Sequence, residues 1–220
     1  MPSLFLYQLA DSAFPTGGFA HSAGLEAAAQ LGEVPGAAAL RGFCEQVLWQ
    51  AGLAALPFVR AGHAEPERLA AHDARCHAFL SNHVANRASR AQGRAFTSTS
   101  ARVFQIPAVV RLDEAVRTRA LHGHHAPLFG AVLRAVDVGA DESAELFLHQ
   151  TLRGVTSAAV RLGLLGPHEA QRLQHDLAPL AAAVLTACAS LPVEEAAQPA
   201  PLLDLFGGLH DRLYARLFQS

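Results

Sequence analysis

Almost nothing in this chain invites a β-strand, and four of its twelve prolines fall where helices would begin. There is no Asn-Gly or Asp-Gly hairpin turn and little period-two alternation, while Ala, Leu, Arg, Glu and Gln dominate. Pro35, Pro66, Pro127 and Pro167 each stand where a first helical turn tolerates a missing N–H. Helices are predicted over 3–11, 18–31, 36–55, 66–82, 85–104, 111–120, 127–137, 142–163, 167–190 and 203–217. The fold expected is all-α, a single-domain helical bundle of about ten helices. With 220 residues, 51% of them hydrophobic, the chain can bury one substantial core.

The best-defined helix is expected to follow Asp141 as N-cap, with acids at 142 and 145 in its first turns. Ala144, Leu148, Leu152, Val155, Ala159 and Leu162 keep steps of three and four and so mark a core stripe. A second stripe, Gln150, Gly154, Ser157 and Arg161, is small and polar. A mid-helix glycine costs about 1 kcal/mol against alanine, so Gly154 implies either close helix packing or a function. Leu177 to Val193 reads as a core helix, short of the roughly 20 residues a membrane span needs. Residues 1–192 are expected to form the core, 193–201 an acid- and proline-bearing linker, and 202–220 a C-terminal helix. Leu202, Leu205, Leu209, Leu213 and Leu217 would give that helix an apolar stripe for a partner.

Composition removes several functions. All 17 basic residues are arginine, so neither a P-loop nor a Schiff-base lysine is possible. A net charge of −2 and a pI near 6.6 give no footprint for nucleic acid. Cys44, Cys76 and Cys188 are odd in number and far apart, which reads as buried thiols in a reducing compartment. Met1 to Ala10 lacks a basic region of signal-peptide type, so a cytoplasmic protein with no membrane association is expected.

No acid, base and nucleophile set is evident. Ser22 and His21 are neighbours that diverge on a helix, and no Gly-x-Ser-x-Gly elbow occurs. The pairs His72-Asp73, His175-Asp176 and His210-Asp211 leave open an all-helical, metal-dependent phosphohydrolase of the HD type. His72, Cys76 and His83 lie close to one helical face, but no recognisable four-ligand spacing assembles, and neither a metal site nor a cofactor is expected. Arg87, Arg90 and Arg94 repeat at i, i+3 and i+7 beside Gln92 and Gly93. They form either a solvated face or a docking surface for an acidic partner, approached over Gly93.

The densest motif is Phe14-Pro15-Thr16-Gly17-Gly18-Phe19-Ala20-His21-Ser22-Ala23-Gly24-Leu25-Glu26, read as a helix entry on which Gly17, His21, Gly24 and Ala28 share one face. It resembles the N-terminal motif of the UreF family of urease accessory proteins. Arg87 to Arg94, His124 to Gly130, Ser157 to Gly166 and Arg212 to Phe218 resemble further segments of that family in the same order. The resemblance implies a non-catalytic homodimeric scaffold that joins the D/H-type accessory protein (UreD or UreH) to the GTPase UreG and couples GTP hydrolysis to nickel delivery into apo-urease. It places Gly17, Gly18, Phe19, His21, Ser22, Leu25 and Glu26 at the GTPase-facing or dimer surface, with Arg161 beside them. Phe19 stands where relatives often carry tyrosine, and Arg161 where many carry lysine. For the tail it implies docking through Leu209, Leu213, Tyr214, Leu217 and Phe218. The remaining alternative is an interaction module unrelated to urease.

Overall fold

The centre of the fold is residues 126–133, an apolar stretch of which every residue is buried. A computed structural model describes residues 4–220; Ser3, the first residue of the helix expected over 3–11, lies outside them. The helices are α1 (Leu4–Ala10), α2 (Leu25–Gln30), α3 (Ala37–Gln50), α4 (Leu56–Ala64), α5 (Leu69–Phe79), α6 (His83–Phe104), α7 (Pro107–Arg117), α8 (His125–Ala135), α9 (Ala140–Arg161), α10 (Pro167–Ala187) and α11 (Pro201–Leu209). No strand occurs among the described residues, and the helices form one all-α domain, as expected. A helix apolar all round must be enclosed, and α8 is wrapped by α4, α5, α6, α7 and α9. The core stripe of α9 is buried from Ala144 to Ala159, with Leu162 packed against its edge.

Helix α4 falls between the expected helices 36–55 and 66–82 and contains Pro57, a residue that ordinarily breaks a helix interior. Instead α3 runs through a π-helical turn, Ala51–Ala55, into α4. Proline lacks an N–H and its ring crowds the carbonyl four residues back; the wider π turn just before it makes the room. Gly52 in that turn also lets α10 approach, since a Cβ there would lie 2.3 Å from Val184 Cγ1.

Two other expectations change. Helix α9 is capped at Gly139, whose N–H donates to Glu142 Oε2 at 3.2 Å, while Asp141 pairs with Arg60 at 2.9 Å. Helix α10 is amphipathic rather than a core helix: Ala170, Leu177 and Val184 are buried on one side of it, and it ends at Ala187.

The N-terminal motif is not one helix. It makes a 3-10 turn, Gly18–Ala20, then an extended His21, and α2 starts only at Leu25. Gly17 and Gly24 hold φ of +78° and +85°, left-handed values that glycine adopts without strain, and they turn the chain twice. Both also allow close approach, Gly17 to Ala95 and Gly24 to the α11 backbone at Gly207. The single helical face expected for Gly17, His21, Gly24 and Ala28 is therefore broken into two.

Candidate partner-binding site

The C-terminal segment is where the motifs meet. The helix expected over 203–217 ends at Leu209, a 3-10 turn follows over His210–Arg212, and the remaining residues are not helical. Gly207 and Gly208 weaken helix propagation, and the backbone beyond finds other partners. Gln219 N–H donates to the Ala20 carbonyl at 2.8 Å, and Ser22 N–H donates to the Ser220 main-chain oxygen at 2.6 Å. Gln30 Nε2 donates to the Ala215 carbonyl at 3.0 Å. Glu26, only 2% exposed, closes the clasp. Its Oε1 accepts from Leu217 N–H at 2.6 Å, and its Oε2 from Phe218 N–H at 3.2 Å and from His210 Nε2 at 3.1 Å. Glu26 is thus not the exposed acid the sequence suggested, and Ser22 is fully buried beside it.

On the outside of this clasp lies an aromatic and cationic cluster. The Arg161 guanidinium carbon stands 3.9 Å from the Phe19 ring centre and 4.2 Å from that of Phe218, and Nη1 donates to the Phe19 carbonyl at 2.5 Å. Phe218 is buried, but Phe19 is 72% exposed. Tyr214 and Leu217 are exposed next along the chain, while Leu209 and Leu213 are half-buried. Along α11 the stripe divides: Leu203 and Phe206 pack inward and Leu202 and Leu205 face outward.

The arginine stripe of α6 does not act as one unit. Arg87 grips Asp211 with both terminal nitrogens, at 2.7 and 3.1 Å, which ties α6 to the tail and holds the Asp211 carboxyl below its ordinary range. Arg90 lies among His77, His122 and His124, and Arg94 is exposed near Gly123. Gly93 admits the chain's own loop rather than a partner's backbone, since a Cβ there would lie 2.2 Å from the Gly123 carbonyl oxygen.

Two of the three His-Asp pairs are absorbed by structure, and the third, His175-Asp176, lies exposed on α10. Asp73, 1% exposed, accepts from the N–H groups of His122, Gly123 and His124 at 2.5, 3.2 and 2.8 Å and so fixes the entry to α8. His72 bonds Glu65 at 3.0 Å, His210 bonds Glu26, and Asp211 bonds Arg87 and His83. Among the described residues no three His, Cys, Asp or Glu side chains converge to hold a metal ion. The three cysteines are buried and unpaired by disulfide, and burial pushes the Cys44 thiol up to about 12.

Three imidazoles are held neutral. Burial, then the charges of His210 and Arg87, lowers His21 to about 4; its Nδ1 lies 2.6 Å from Ser220 Oγ. Burial, with His77, Arg90 and His122, lowers His124 to about 3, and burial beside Phe96, Phe129 and Phe147 lowers His125 to about 4. Below the unfolded value of about 6.5 the unfolded chain takes up protons that the native chain refuses. The stability these groups contribute is complete above about pH 6.5 and is lost as pH falls toward about 4. Urea midpoints should therefore decline steadily over that window; a flat profile would contradict the burial of these rings.

What the sequence pattern missed is mainly on the tail and on α9. His210 and Asp211 read as a catalytic pair, yet each serves the clasp. Arg153 went unnoticed, although with Ser157 and Arg161 it repeats every four residues on α9. The clasped tail thus carries a cluster of one exposed aromatic ring, one half-buried arginine and one buried ring on its outer side.

The chain belongs to the UreF family, whose sequence model matches residues 34–178. It is 39% identical over 216 residues to urease accessory protein F of Oryza sativa subsp. indica, covering 96% of this chain and 83% of the rice protein. It is 38% identical over 218 residues to urease accessory protein F of Arabidopsis thaliana, covering 97% and 91%. With the urease accessory protein UreF of Trichodesmium erythraeum (strain IMS101) it shares 29% identity over 223 residues, covering 99% and 96%. The chain is thus an accessory protein of the urease system. No helix among the described residues is long and apolar enough to cross a membrane.

Proposed function

We propose that this chain is a non-catalytic scaffold of urease maturation, a cytoplasmic homodimer that joins a D/H-type accessory protein to the GTPase UreG for nickel insertion into apo-urease. What supports the reading is the convergence of family-like segments far apart in sequence. Phe19 of the first, Arg161 of the fourth and Phe218 of the last form one cluster, and Arg87 of the second binds Asp211 beside it. Exposed arginine and aromatic groups are favoured contact residues. In this reading Phe19 and Arg161 meet the GTPase, whereas Tyr214, Leu217 and the outward Leu202 and Leu205 meet the D/H-type partner. Glu26, His21 and Ser22 hold the surface in shape from below, and Gly17 and Gly18 set its loop.

The test is co-purification with UreG and the D/H-type protein, together with activation of apo-urease. Phe19→Ala should reduce capture of UreG, and Tyr214→Ala with Leu217→Ala capture of the D/H-type partner. All three side chains are exposed, so melting should stay within about 2–4 °C of the parent. Undiminished capture and activation in every variant would overturn the assignment. A metal-dependent phosphoesterase activity of the isolated chain would favour the HD-type alternative instead.

A further inference from the structure

Gly154 occupies the middle of α9, yet a Cβ there would meet no atom within 4 Å. Close packing therefore does not explain it, and a mid-helix glycine is unfavourable against alanine. What lies over it is space. Gly154 borders two adjoining cavities of about 480 and 340 Å³, which also share Gln92, His125 and Gln150 in their walls. The larger is within the roughly 300–1,000 Å³ of small-molecule sites.

The wall of the larger cavity is mostly apolar, with Phe14, Phe19 and Phe147 in it, and its charged groups are cationic. Arg153, Ser157 and Arg161 enter it from successive turns of α9, with Ser12 and Thr16 opposite on the loop after α1. Among the described residues lining it there is no aspartate or glutamate. Asp11 acts on Arg153 but stands outside the wall. Arg153 donates through Nη1 to the Ala10 carbonyl and Arg161 to that of Phe19, contacts that aim the guanidiniums without neutralising them. Burial disfavours the charged form of Arg153, a cost that a bound anion would offset. The fork of arginine donors suits carboxylate and phosphate oxygens.

We propose that this cavity binds a small oxyanion, phosphate or carboxylate in kind, between Arg153 and Arg161, and that Gly154 keeps the space for it. The site shares Arg161 and Phe19 with the GTPase contact proposed above, but it is read on the isolated full-length chain, where no partner is present, so its failure and the failure of that reading are told apart. Titration calorimetry at low salt with inorganic phosphate, and separately with malonate, tests it and tells the two anion types apart. At least one should bind saturably. Arg153→Met should weaken that binding at least about tenfold, and Arg153→Lys should restore part of it. Gly154→Leu should abolish it while melting no lower than the parent, since the glycine is relieved and the void filled. Gly154→Ala should melt higher and still bind. The proposal is overturned if neither anion binds up to about 10 mM, or if binding survives Gly154→Leu. Binding of an acidic peptide with neither small anion bound would also overturn it. Should Gly154→Leu fail to fold, the Arg153 pair decides alone.

Discussion

Gly130→Ala should prevent the chain from folding, the largest effect expected of any single methyl group in this protein. A Cβ at Gly130 would stand 1.9 Å from the Val59 carbonyl oxygen and 2.8 Å from the His63 nitrogen. The contact is reciprocal, for a Cβ at Gly62 would stand 2.1 Å from the Pro127 carbonyl oxygen. Helices α4 and α8 therefore meet backbone to backbone at the centre of the core, each through a glycine of its own. Ordinary overpacking costs about 1–3 kcal/mol because side chains shift. Here only the helices themselves can move, and every helix around α8 would have to follow, so a loss of more than about 4 kcal/mol is expected. That is a large part of the stability of a domain this size. Soluble expression and far-UV circular dichroism provide the check. A Gly130→Ala protein with the parent's cooperative melt would show that α4 and α8 do not approach as described.

The sequence carried the helix class well because that information is local. The α9 stripe from Ala144 to Ala159 keeps helical spacing, and proline opens α10 at Pro167 as read, whereas α7 starts at Pro107, ahead of the expected 111. It carried the closest packing poorly, because the need for Gly130 is created by Val59, some 70 residues away and invisible to periodicity. Helix α4 escaped for a related reason: a proline in a helix interior normally breaks it, and the π turn that accommodates Pro57 has α10 lying against Gly52. The sequence pointed to Phe19, Arg161 and Phe218, which the fold brings into one cluster with Phe218 buried beneath it. The supports of that cluster were not legible. Glu26 looked like a lone exposed acid because its partners are backbone N–H groups at 217 and 218, which every residue but proline possesses and no pattern marks. Asp211 and His210 looked like chemistry for the converse reason, that charged dipeptides draw attention whether or not anything converges on them.

Glu26→Ala should cost far more than the few tenths of a kcal/mol of an exposed charge. The carboxylate is buried and answers three donors from the tail, the N–H groups of Leu217 and Phe218 and the Nε2–H of His210. Removing one partner of a buried pair costs about 3–5 kcal/mol, most of it from the groups left behind. His210 is fully buried and its Nδ1 has no partner, so Glu26 supplies the ring's hydrogen bond. The tail has an escape, however: by leaving the surface it returns those donors to water, and the loss is then limited to the free energy of tail docking. Two readouts follow. If the tail stays, the global melt falls by the full amount; if it leaves, the melt falls less and residues 211–220 become sensitive to protease under native conditions. Glu26→Gln keeps an acceptor for one backbone N–H and should lie between parent and alanine variant in both measurements. Loss of the tail also removes Phe218 from Arg161 and breaks the aromatic cluster, so Glu26→Ala should lower urease activation indirectly. Phe19→Ala, which leaves the clasp untouched, separates that structural route from lost contact. An alanine variant with the parent's melting curve and an equally protected tail would mean that the clasp does not hold the C-terminal segment.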